Sequence, residues 1–526
     1  MDLDKTLQQL DIKRQKALEM GGADRIRKQH AKGRLSARER IHKLLDRGSF
    51  FEMGLLAHSA MPGMAEKTPA DGVICGYGTI GGRRVAVIAN DFTVLASTNA
   101  ETNLKKTLQF KTQIKKKGGM PLIWLGESGG ARMPDCQGAR EFCTLSGGGV
   151  DTLATAYTHL RTHPFIFAAM GECYGIPDFQ AALADFVIQI KGSVLSVSGP
   201  RALARAVGQT YSGEEMGGWK VHSRITGMTD RVVENEDECL HMIRTFLAYM
   251  PNNCDELPPS RPVPEKSALE ESKSSAARIL DHFTANRKKP YDMHPILACL
   301  SDDEKYLELK PEYGAMLLTC LARIQGEVVG FIANNPAVNA GAMDVNGLDK
   351  LTGFICLCDS YNIPMIFLHD TPGHLVGKKA EQKKVGAKVV QAQQALFQAT
   401  VPKISIIIRK SYGKACTNMC GPGAGADFIA AWPTAEIGFM DPEIAADIVY
   451  GALSEQERKA SLEKMIGDLS PYPAAGSYHI QDVIDPRETR DYLINALRVI
   501  RDWKNKGMGQ HKIGRASCRE RVSSPV

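Results

Sequence analysis

The chain has 526 residues, a hydrophobic fraction of 43% and a net charge of +6 at neutral pH. That length allows roughly three to four ordinary domains, or two large ones with sizeable cores. So mild a balance excludes a dedicated nucleic-acid platform, and the longest aliphatic stretches, such as Ile404–Ile408, are far too short to be a transmembrane segment. Thirteen cysteines without a CxxC pair, and no leading apolar h-region, read as reduced thiols of a cytoplasmic protein.

In chain order, the first 47 residues read as helices, with 13 Lys/Arg against 7 Asp/Glu on a solvated face. In "LSARERIHKLLDRGSF", Ser36 followed by Glu39 predicts a capping box. Ile41, Leu44 and Leu45 predict an apolar stripe, and Gly48 a stop. From Val73, "VICGYGTIGGRRVAVIAND" is β-branched and broken by glycines, which predicts a hairpin. "PLIWLGESGGARMP" at Pro121–Pro134 then predicts a buried strand opening into a bend nearly free of side chains, Glu127-Ser128-Gly129-Gly130-Ala131. A further buried strand, "HPFIFAAMGECYG" at 163–175, ends in a Tyr-Gly turn. Residues 255–288 open on the proline- and charge-rich "DELPPSRPVPEKSALEESKSS" and read as a linker between domains at 1–254 and 289–512.

The second half repeats the first. "GEVVGFIANN" at Gly326–Asn335 answers "GRRVAVIAND" at Gly82–Asp91. "PMIFLHDTPGHLVG" at Pro364–Gly377 answers the first bend, with Asp370, Thr371 and Gly373 at the places of Glu127, Ser128 and Gly130. "VPKISIIIRKSYG" at 401–413 answers 163–175, Pro to Tyr spanning ten residues in both. Three ordered matches at near-constant offset indicate paired domains, and apolar strands alternating with longer amphipathic stretches indicate α/β units.

A strand that ends in a small-residue turn and opens a helix presents backbone N–H groups at a positive dipole end. Such donors can hold an anion. Without a phosphate-loop motif, the better candidate than phosphate is an enolate or other oxyanion, and the bland alternative is tight strand–helix packing. No HExxH, GxSxG or ligand-spaced Cys/His cluster is present. Cys356 and Cys358 read as core, and His369 as a satisfied loop histidine. Chemistry carried by backbone donors leaves just such a lack of side-chain motifs.

From about Lys32 to about Lys504 the chain resembles the carboxyltransferase (β) subunits of biotin-dependent acyl-CoA carboxylases, propionyl-CoA carboxylase among them. The resemblance is carried in order by "KGRLSARERIHKLLDRGSFFE", "SGGARM", "EEMGGWKVHSRITGMTD", "KPYDM", "IANNP", "TPGHLVG", "RKSYGKA", "GADFIAAWPTAEIGFM" and "DVIDPRETR". It implies tandem crotonase/ClpP-like ββα-spiral domains. The N-terminal half would hold the acyl-CoA and the C-terminal half carboxybiotin, each with one backbone oxyanion hole, the site closing between halves of different subunits. CO₂ released from carboxybiotin would meet the enolate, with biotin taking the α-proton, so no side-chain base is required.

The resemblance places the catalytic turns at Gly175 and Ile176 and at Lys414 and Ala415. It places substrate contacts at Ser128, Gly129, Gly130, Ala131, Arg132 and Tyr174 for the acyl-CoA side, and at Gly373, Gly413 and Thr417 for the biotin side. The chain departs from the family's usual Ala-Gly-Gly-Ala at Tyr174-Gly175-Ile176-Pro177. It departs from Tyr-Gly-Gly-Ala-Tyr-Asp at Tyr412–Thr417, where Thr417 replaces an Asp that helps select acyl length. Ile176 and Lys414 keep their N–H, whereas Pro177 lacks one. No Met-Lys-Met biotinylation motif is present, which implies biotin on a separate chain, a biotin carboxylase and carrier as partners, and a homo-oligomer, dimer or trimer of dimers. No metal is implied. The resemblance equally admits a decarboxylase or transcarboxylase subunit, and the fold a non-catalytic CoA-ester binder. "IGRASCRERV" at Ile513–Val522 resembles a translated adapter, so residues 513–526 are expected to be dispensable.

Overall fold

The hairpin expected from Val73 forms in the computed structural model: strands β2 (Val73–Ile80) and β3 (Arg83–Asn90) pair antiparallel over eight residues, turning at Gly81-Gly82 with φ of 57° and 77°. Those positive angles are what a tight hairpin turn demands, and glycine takes them without strain. The structure describes residues 3–116, 118–145, 161–263, 270, 273–274, 277–450 and 454–500. The proposed tail at 513–526 lies outside them.

The chain divides into two compact units, Met1–Cys254 and Asp255–Val526. In the first, β1 (Phe51–Met53) precedes the hairpin; β4 (Leu122–Ser128), β5 (Phe165–Tyr174), β6 (Phe186–Ile190), β7 (Val194–Ser196) and β8 (Arg231–Val233) follow. Their sheet runs β1-β2-β3-β4-β5-β6-β8, with β7 on β5. The second unit contains β9 (Tyr306–Glu308), β10 (Leu317–Ile324), β11 (Glu327–Asn334), β12 (Met365–Thr371), β13 (Lys403–Tyr412), β14 (Phe428–Ala431), β15 (Glu436–Gly438) and β16 (Asp482–Val483). Its sheet runs β9-β10-β11-β12-β13-β14-β16, with β15 on β13. The duplication seen in the sequence is therefore a duplication of topology and of register. Ser128 opposes Cys173 after a register shift, and Thr371 opposes Ser411 after the same shift.

Strand β5 pairs with β6 up to Ala169, then with β7 from Glu172 to Tyr174; β13 changes partner in the same way, from β14 to β15. Each long strand thus leaves the main sheet and ends beside a short one, and its Tyr-Gly turn is delivered there. Central strands are buried on both faces, as parallel strands covered by helices are. The amphipathic stretch between β11 and β12 forms the helix Val345–Ser360, in which Cys356 and Cys358 are buried.

The linker reading needs one correction. Residues 279–291 pack onto the second unit: Ile279 is buried and Phe283 stacks edge-on to Tyr291 and Trp432. Arg409 of β13 donates to the carbonyls of Thr284, Asn286 and Lys289 at 3.1, 2.7 and 3.0 Å. This stretch is a bracket on the sheet, because Arg409 needs acceptors that a free spacer could not supply. Among the described residues no helix is long and apolar enough to cross a membrane.

Candidate active site

Both bends follow a strand end and rest on a left-handed turn. Leu95, Ala96 and Ser97 have φ of 47°, 53° and 46°; Asn339, Ala340 and Gly341 have 49°, 53° and 79°. L-residues avoid this region, at roughly 1–2 kcal/mol each, so the surroundings must hold it. They do: the Ser128 hydroxyl donates to the Ser97 carbonyl at 2.7 Å and the Gly129 N–H to the Ala96 carbonyl at 2.8 Å. In the second unit a Cβ at Gly341 would lie 2.3 Å from the Asp370 carbonyl, so glycine alone allows that approach.

These bonds correct part of the expected site. The N–H of Gly129 is committed to Ala96, and that of Gly130 to Ser128 Oγ at 3.3 Å. Gly175 donates to the Ser196 carbonyl at 3.0 Å. Ser128, Gly129, Gly130 and Gly175 therefore shape the turns and are not the free donors. Arg132 is buried: its Nη1 lies 2.7 Å from Asp71 and 3.3 Å from Asp135, and Nη2 donates to the Thr98 carbonyl at 3.0 Å. It anchors the bend, with four of its five N–H donors engaged.

Among the described residues, the bend and turn N–H groups that make no hydrogen bond include those of Ala131 and Ile176 in the first unit and of His374, Lys414 and Ala415 in the second. They come from two turns in each unit. Gly130 brings the first pair together, since a Cβ there would sit 3.6 Å from the Tyr174 Cβ. Helix Ile176–Leu183 packs on the end of β4, and helix Gly413–Asn418 on the end of β12. Gly373, at φ 140°, mirrors Gly130: its carbonyl accepts from Met343 N–H at 3.1 Å, as that of Gly130 does from Asn99 at 2.7 Å, and a Cβ there would meet open space. Gly413 has φ of 55° and faces the Phe439 carbonyl, which a Cβ would approach to 2.9 Å. Lys414 is exposed, Ala415 buried, and Thr417 half-buried on the same helix.

The tyrosines before each turn are held differently. The Tyr174 ring lies along Gly199 and Gly213, a Cβ on Gly213 coming within 3.2 Å of the hydroxyl. The Tyr412 hydroxyl bonds Glu436 and receives Arg287 Nη2 at 3.1 Å, while Arg287 also reaches Glu436 and Asp441. Burial and the Glu436 carboxylate push the Tyr412 phenol up, so it stays protonated. In the first turn, burial raises the Asp178 carboxyl despite the pull of His222.

Sequence reasoning missed the anchors. Glu127 is fully buried and accepts from Arg40 at 2.7 Å, Arg34 at 2.8 Å and Gln29 at 3.1 Å. Arg40 also holds Glu236, at 2.6 Å. Burial opposes the Arg40 charge, yet the two carboxylates outweigh it. The counterpart Asp370 pairs with Arg409 at 2.9 Å. Glu127 and Asp370 were visible as matched positions; their partners, far away in sequence, were not. The donors at Ala131 and His374 carry no side-chain signature.

Comparison with known proteins identifies the family. Residues 28–512 match the carboxyl transferase domain. The chain is 36% identical to the methylmalonyl-CoA decarboxylase subunit alpha of Veillonella parvula over 493 residues, covering 91% of this chain and 92% of that protein. It is 34% identical to the propionyl-CoA carboxylase beta chain of Cereibacter sphaeroides, covering 95% and 97%. The solved transcarboxylase 12S structure with methylmalonyl-coenzyme A bound superimposes with a TM-score of 0.89 at 32% identity, over 96% of this chain and 97% of that one. The tandem crotonase-like fold is thereby established, and the chain belongs to the carboxyl transferase family of biotin-dependent enzymes.

Proposed function

We propose that this chain transfers a carboxyl group from carboxybiotin to a short-chain acyl-CoA, using one oxyanion hole per unit. The observation that carries the reading is the duplicated pair of acceptor-free N–H groups, Ala131 with Ile176 and His374 with Lys414. An enolate on the acyl-CoA and a charged ureido oxygen on biotin are two anions needing two such cradles. The acceptor-free donors of the second turn and the open space at Gly373 fit a carbonyl-bearing ring. Bound carboxybiotin supplies the transferable carboxyl; the chain's residues orient the two partners and hold the developing charges. Biotin arrives on a carrier chain charged by a biotin carboxylase. The test is an acyl-CoA panel with the cognate carboxylase and carrier. Carboxylation of propionyl-CoA above longer chains is expected, and absence of transfer to every acyl-CoA overturns the reading. The decarboxylase relative favours a second direction; release of CO₂ from methylmalonyl-CoA onto biotin, without ATP-driven carboxylation, would establish it.

The working form is a homo-oligomer. Helix Pro200–Val207 after β7 carries Arg201 and Arg205 and no acid; helix Pro442–Tyr450 after β15 carries Glu443 and Asp447 and no base. Both are flanked by exposed apolar residues, among them Phe439 at 81% exposure. Glu443 and Asp447 already pair with Lys288 and Arg458 in their own unit, so the exposed apolar residues are what suits burial against another copy. The 12S relative is described as a hexamer. Phe439→Asp is expected to lower the sedimenting mass. A protein that sediments as a monomer yet turns over contradicts this arrangement.

A further inference from the structure

Strand β12 carries His369 where β4 carries Gly126. The registers fix the equivalence: Leu125 opposes Ala168 as Leu368 opposes Ile406, and Ser128 opposes Cys173 as Thr371 opposes Ser411. In the first unit the Phe167 ring of β5 covers Gly126, where a Cβ would meet it at 2.3 Å. In the second unit the ring has moved to the other strand. His369 supplies it, Ser405 stands at the place of Phe167 and Ser411 at that of Cys173.

His369, Ser405 and Ser411 are each fully buried. His369 Nδ1 lies 3.0 Å from Ser411 Oγ, and Nε2 lies 2.7 Å from Ser405 Oγ. Burial pushes the imidazole down to about 3, against a weak pull from the Met419 backbone, so the ring is neutral. A neutral imidazole offers one donor and one acceptor, and a serine hydroxyl can answer either. Ser411 immediately precedes Tyr412. The relay therefore grips the second turn at its entry, through Ser411. Packing alone does not require it, since a phenyl ring fills the same place in the first unit.

We propose that His369 is a positioning residue for the second oxyanion turn, holding Tyr412–Ala415 through Ser411. The proposal rests on reading that turn as an oxyanion site. Asparagine places an amide atom where Nδ1 sits, glutamine where Nε2 sits, and phenylalanine restores the ring of the first unit without its hydrogen bonds.

The experiment measures kcat, the acyl-CoA KM and amide exchange of peptides spanning 412–418 in the whole protein. Ser411→Ala, His369→Phe and His369→Gln are expected to lower kcat about 3–10-fold, the rate equivalent of one lost hydrogen bond. The acyl-CoA KM should hold, exchange at 412–418 should rise, and His369→Asn should retain kcat because it still reaches Ser411. Wild-type kcat and exchange in Ser411→Ala and His369→Phe overturn the proposal, as does equal loss in His369→Asn and His369→Gln. Should the wild type transfer no carboxyl group at all, the oxyanion reading fails separately, and exchange alone decides whether the relay holds the turn.

Discussion

Replacing Lys414 with proline is expected to lower carboxyl transfer by about two to three orders of magnitude, the usual effect of losing one oxyanion donor. Lys414→Ala should leave the rate near that of the wild type. The contrast follows from where Lys414 stands. Its N–H has no protein acceptor among the described residues, and its side chain is exposed. Proline removes the N–H and fixes φ, but it is tolerated in the first turn of a helix, and Pro177 occupies that turn in the first unit. The fold should therefore survive, which circular dichroism and kcat measured together will check. Equal inactivity of folded Lys414→Ala and Lys414→Pro would show that the ammonium carries chemistry and that the backbone reading of this turn is wrong.

The second large effect is on stability. Arg40→Met leaves Glu127 and Glu236 buried with a partner removed, and breaking such a cluster costs about 3–5 kcal/mol. Glu127 keeps Arg34 and Gln29, so most of the loss should come from Glu236, whose one charged partner among the described residues is Arg40. Adding Glu236→Gln to Arg40→Met is expected to recover part of it. Urea denaturation of the wild type and both variants measures this directly. A loss below about 1 kcal/mol would mean that the N-terminal helices are held by packing alone.

Much of the architecture was legible because it was written twice. The capping box at Ser36 and Glu39 forms as read, with Ile41, Leu44 and Leu45 buried. The Gly82/Gly326, Pro121/Pro364 and Pro164/Pro402 matches are β3/β11, β4/β12 and β5/β13. Individual roles in the site were less legible. A glycine in a bend announces a conformation, not whether its N–H is free: Gly129 and Gly175 give theirs to Ala96 and Ser196, while the donors left over belong to Ala131 and Ile176. Arg132 was placed among the substrate contacts by the resemblance; its carboxylate partner Asp71 lies 61 residues away. His369 was read as a satisfied loop histidine, but the strand runs through Thr371 and buries it. Such outcomes depend on partners remote in sequence, which periodicity does not report.

The Arg40 cluster also bears on the order of synthesis. Arg40 lies 87 residues before Glu127 and 196 before Glu236, whereas Asp370 finds Arg409 on the neighbouring strand. At about 5–20 residues per second, the ribosome needs about 10–40 s to make Glu236 after Arg40. Glu127 becomes available earlier, 87 residues after Arg40, so the ion pairs of the helix Ala37–Leu44 are completed only with Glu236. A partner encoded late in the unit thus finishes the seating of a helix made early.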